Sequence, residues 1–122
     1  MIERCGIKDV IACVREQARD YGYAVGVHGT LKRDIDLIAV AWVPGARPAG
    51  VMAEAVREAL AALTGSADLG GVERGDSYFQ NGCPGMKPFG RLCWAYHMPG
   101  LPYLDLSVIP PHLPVWPEDK VA

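Results

Sequence analysis

The chain has 122 residues, 12 basic against 14 acidic side chains, and a formal net charge of −2. That length supports one domain around one core, and half of the residues are apolar, the balance of an ordinary globular domain. The charge excludes the strongly basic balance of a dedicated duplex-binding protein, leaving no strong nucleic-acid signal, and no run reaches the ~18 apolar residues of a membrane span.

Met1 to Gly6 lack the apolar stretch of a secretory signal. The four cysteines, at 5, 13, 83 and 93, contain no Cys-x-x-Cys pair. Free or buried thiols and a cytoplasmic location are therefore expected, without disulfides.

Residues 7–21 predict an amphipathic helix, with Ile7, Val10, Ile11, Val14, Ala18 and Tyr21 on one face and charged residues on the other. Gly22 suits the left-handed position that closes a helix. Tyr23 to Val27 predict a short strand, and His28 to Arg33 a connector. Asp34 to Val43 predict a second strand, whose apolar second half calls for cover on both faces. Pro44 to Pro48 break the chain.

A second helix is predicted over 49–64, with Met52, Val56, Ala59, Leu60 and Leu63 inward and Gly65 as its stop. A short strand near 69–74 and an irregular loop follow. Arg91 to His97 alternate as a strand, with Leu92, Trp94 and Tyr96 on one face. Met98-Pro99-Gly100-Leu101 predict a type II turn, and Tyr103 to Ile109 the returning strand, with Leu104, Leu106 and Val108 together. The order α-β-β-α-(β)-β-β predicts an α/β or α+β domain over 1–109, a mixed sheet with two helices on one face. Four prolines make 110–122 an extended C-terminal arm.

Three aspartates stand where a core would not choose them. Asp34 and Asp36 open an apolar strand on one face, and Asp105 interrupts another. Aspartate is a poor strand residue, and a desolvated carboxylate is costly unless paired or bound to a cation. Carboxylates two positions apart suit a hard cation such as Mg²⁺. The alternative is structural: Asp34 capping a turn, Asp36 paired with Arg33 or Arg91, and Asp105 facing solvent on an edge strand.

Val27-His28-Gly29-Thr30, then Asp34-Ile35-Asp36-Leu37, then Asp105 on a later strand resemble the DNA polymerase β-type nucleotidyltransferase superfamily. The resemblance implies a minimal fold of that kind over most of the chain. It places Gly29 and Thr30 on the phosphate-binding Gly-Ser motif, Asp34 and Asp36 on the paired metal ligands, and Asp105 on the third carboxylate. Implied with it are Mg²⁺ or Mn²⁺, a nucleoside triphosphate and transfer of a nucleotidyl group to an acceptor. One departure stands out: only Leu31, Lys32 and Arg33 separate Thr30 from Asp34, too few for the helical turn that grips the triphosphate. Lys32 and Arg33 would then hold phosphate by charge. The competing class is a non-catalytic interaction module on the same fold, acting with a partner protein or as a homo-oligomer.

His28, at a strand end, reads as a hydrogen-bonded structural residue, and His97 and His112 have no partner at ligand spacing. Lys87 and Arg91 could hold phosphate or solvate a loop. Trp42, Trp94 and Tyr96 are expected in the core. Trp116, in the arm, is expected to dock on its own domain or on a second subunit.

Overall fold

A computed structural model of the chain describes residues 5–66, 69–73, 86–87 and 91–111. Helix α1 spans Ile7–Asp20. The Gly6 N–H donates to the Asp9 carboxylate at 2.8 Å, so an acid answers the exposed amides of the first turn. Val10, Val14 and Ala18 are fully buried, the inner stripe the periodicity predicts.

Gly22 turns the chain with φ +93°. A Cβ there would lie 2.7 Å from Ala46 Cα, so both the backbone angle and the space demand glycine. Strand β1, Tyr23–His28, follows and pairs antiparallel with β2, Ile35–Ala41. Helix α2, Ala49–Thr64, ends at Gly65 in the left-handed region, as predicted.

Beyond α2 come β3, Gly70–Glu73, β4, Met86–Lys87, β5, Arg91–Tyr96, and β6, Leu104–Ile109. The β5–β6 turn carries Gly100 at φ +74°, and Leu101 N–H donates to Met98 O at 3.1 Å, in keeping with the type II prediction.

The sheet runs β1-β2-β6-β5-β3, with β4 also paired to β5. The β2–β6 pair is parallel and the others are antiparallel, giving the mixed α+β sheet that the element order implies. One face of the sheet presents Ile35, Leu37 and Ala39 from β2, Leu104, Leu106 and Val108 from β6, and Trp94 and Tyr96 from β5. Val10, Val14 and Ala18 of α1 and Met52, Val56 and Leu60 of α2 join them in a single core. Each buried Val, Leu, Ile or Met among them contributes about 1.5–3 kcal/mol by leaving water. Two buried phenols tie the layers together. Tyr96 donates to Ala53 O of α2 at 2.8 Å, and Tyr23 donates to Arg47 O at 2.7 Å.

Four expectations are corrected. The second strand begins at Ile35 and ends at Ala41, so Asp34, Trp42 and Val43 lie outside it. Trp42 is 66% exposed rather than in the core, because it follows the last paired residue and shares the even-numbered parity that faces away from the helices. On that parity Ile38 and Val40 are only half-buried, so β2 is fully covered on one face alone. Strand β4 falls within the segment expected to be an irregular loop. Cys5, Cys13 and Cys93 are in no disulfide. Cys83, His112, Trp116 and the arm from 112 onward lie outside the described residues, as do the side chains of Lys87 and Arg91.

Candidate functional site

Alternation along β2 and β6 sends the odd residues of one and the even residues of the other into the core. Asp36 and Asp105 therefore share the opposite face, and the parallel register sets them directly beside each other. Neighbouring strands lie about 4.8 Å apart, so two carboxylates stand side by side near the starts of β2 and β6. Both are half-buried. Strand β6 is central, between β2 and β5, which removes the reading of Asp105 as an edge-strand residue. The same ladder row continues to His28 on β1, opposite Asp36, and to Ala95 on β5, opposite Asp105.

Asp105 has a neighbour that sequence alone did not reveal. The fully buried thiol of Cys93 donates to Asp105 Oδ1. Cys93 stands opposite Ser107, diagonal to Asp105, so only the β5–β6 register makes the pair visible. A sulfhydryl donor orients the carboxylate while adding no compensating charge.

The connector between β1 and β2 brings backbone to Asp36. Gly29 adopts φ +89°, and a Cβ placed on it would stand 3.4 Å from Asp36 Oδ2. Its backbone thus lies close to the Asp36 carboxylate. Leu31 is the one non-glycine residue among those described with positive φ, at 63°. Its side chain packs against the core, which pins a connector too short to carry a helical turn. Lys32 N–H reaches Thr30 Oγ1 at 3.4 Å, and Thr30, Lys32, Arg33 and Asp34 are all exposed.

Of the expected residues, then, the fold brings Asp36, Asp105 and Gly29 together and leaves Thr30, Lys32 and Arg33 around them on a short exposed connector. Asp34 sits one residue ahead of β2, outside the paired ladder. Among the described residues, no group of three or more His, Cys, Asp or Glu side chains is placed to hold a metal ion. A resident cation held by three protein carboxylates does not fit this arrangement. Magnesium is ordinarily held by one or two carboxylates together with phosphates and water.

No helix among the described residues is long and apolar enough to cross a membrane. Comparison of the chain with protein-family models, with curated proteins and with solved structures finds no match to any of them, so the chemistry of the site is read from its geometry.

Proposed function

We propose that the Asp36–Asp105 face binds a nucleoside triphosphate with its Mg²⁺ and serves metal-dependent nucleotidyl transfer to an acceptor. The observation that supports this best is the register itself, which sets two half-buried carboxylates side by side at the end of the sheet where the Gly29 backbone closes on Asp36. The divalent ion is part of the substrate complex and screens the two like charges. Lys32 and Arg33 supply cationic side chains for the outer phosphates. In the transfer, an acceptor hydroxyl oxygen bonds to the α-phosphorus, the bond to the leaving pyrophosphate breaks, and Asp105 takes the hydroxyl proton.

Calorimetry with ATP and Mg²⁺ tests the reading. Binding that is lost in Asp36→Asn and Asp105→Asn supports it, and absence of binding to the native chain overturns it. One observation favours a second reading, that of a non-catalytic interaction module: the connector from Gly29 to Asp34 contains no helix to grip phosphate. A chain that binds neither ATP nor Mn²⁺ falls to that reading.

A further inference from the structure

The carboxylate row ends at Ala95, but the face does not end there. The β5–β6 ladder ends with Tyr96 opposite Leu104, and His97 follows β5 as Tyr103 precedes β6. The two rings meet, with centroids 4.4 Å apart and planes at 83°, an edge-to-face contact. Alternation puts Tyr103 on the same face as Asp105, two residues before it, a displacement of about 6–7 Å along the strand. Tyr103 is also held in place by its backbone, since its carbonyl accepts the Ile35 N–H at 2.8 Å. His97 is exposed and Tyr103 half-buried, so the pair forms part of the surface rather than of the core. His97 is anchored in turn by its own N–H, which donates to Leu69 O at 2.7 Å.

We infer that the His97–Tyr103 pair is the shelf on which the base of the bound nucleotide stacks, an inference that rests on the nucleotide reading of the Asp36–Asp105 face. A nucleotide whose phosphates and Mg²⁺ engage the carboxylates must set its base a sugar's breadth away. On this face the aromatic pair lies at that remove, just outside the carboxylate row. The chain fixes the shelf relative to the carboxylates, because Tyr103 immediately precedes β6, which carries Asp105, and its carbonyl is tied to the start of β2. Stacking on a π-face tolerates any base, so the shelf supplies affinity for a nucleotide without selecting among bases.

The test is calorimetry of the full chain in Mg²⁺ with two probes, ATP and inorganic triphosphate. Inorganic triphosphate carries at least as much negative charge as ATP and has no base. The native chain is expected to bind ATP more tightly by about tenfold or more. Tyr103→Ala should bring ATP down to the level of inorganic triphosphate and leave inorganic triphosphate binding unchanged. Tyr103→Phe, which keeps the ring, should retain the preference, and His97→Ala should reduce it. Equal binding of the two probes by the native chain overturns the shelf while the phosphate site stands. An ATP preference that survives Tyr103→Ala also overturns the shelf. If the native chain binds neither probe, the nucleotide reading fails and the shelf with it. If Tyr103→Ala does not fold, the native comparison and Tyr103→Phe still decide.

Discussion

At the scale of single residues, two positions carry most of the local argument. Gly22 combines a left-handed backbone with a Cβ space already filled by Ala46 and Val43. Gly22→Ala should cost about 2–4 kcal/mol, the left-handed penalty plus local overpacking, read as a lowered midpoint in urea. Asp36 carries the other. Beside Asp105 it sets two like charges on adjacent strands, a destabilising arrangement worth about 0.2–1 kcal/mol. Asp36→Asn should therefore raise the stability of the ligand-free chain slightly while abolishing the stabilisation by Mg²⁺ and ATP. A thermal melt of both proteins, with and without Mg²⁺–ATP, checks the two effects together. Gly22 was legible in the sequence as a helix stop. Its contact with Ala46, 24 positions on, was not, because no local pattern reports which loop a turn will touch.

At the scale of elements, the β1–β2 connector and the β5–α2 contact each make a prediction. Exposed charges are screened over about 8–10 Å at ordinary salt. If Lys32 and Arg33 replace a helix terminus as the phosphate grip, binding of ATP should weaken steeply with salt. Lys32→Ala with Arg33→Ala should abolish that binding without unfolding the chain. Salt-independent binding, or binding that persists in the double variant, would show that the connector plays no such part. In the β5–α2 contact, burial pushes the Tyr96 phenol well above its ordinary range, with Glu54 adding in the same direction. Below the ordinary phenol pKa of about 10 the group is protonated in folded and unfolded chains alike, and stability does not depend on it. Above that pH the unfolded chain loses the proton first, so stability falls as pH rises. Tyr96→Phe should flatten this alkaline loss, at a cost near neutrality of about 1 kcal/mol for the hydrogen bond to Ala53. Urea titrations across pH 8 to roughly 11 would show the crossing.

At the scale of the whole molecule, the two helices of the described residues cover one side of the sheet, and the Asp36–Asp105 row lies on the other. Saturation with Mg²⁺–ATP at 100 times its dissociation constant should stabilise the whole domain by about 2.7 kcal/mol. Mg²⁺ or Mn²⁺ alone should shift the melt far less, since two carboxylates fill only part of a hard cation's shell. The thiols should behave as unlinked groups: Cys5, Cys13 and Cys93 are in no disulfide, and burial raises the Cys13 thiol pKa, with Glu16 and Cys5 adding to it. Denatured protein should titrate all four thiols, and its mass should not change on reduction.

What the sequence determined by itself is what short-range periodicity encodes: two helices with their inner faces, strands near Tyr23, Asp34, Arg91 and Tyr103 to within a residue or two at their ends, and the turns at Gly22, Gly65 and Gly100. Asp36 and Asp105 were also legible, as charges at positions where an apolar strand rejects them. The tertiary structure decided the rest, because register and strand order are long-range properties. Only the parallel pairing of β2 with β6 sets Asp36 beside Asp105, only the β5–β6 ladder brings Cys93 to Asp105, and only the turn that closes it brings His97 to Tyr103. Trp42 shows the limit from the other side. Its composition suggested core, but strand pairing ends at Ala41, and a side chain past the last ladder residue on the face away from the helices finds nothing among them to bury it.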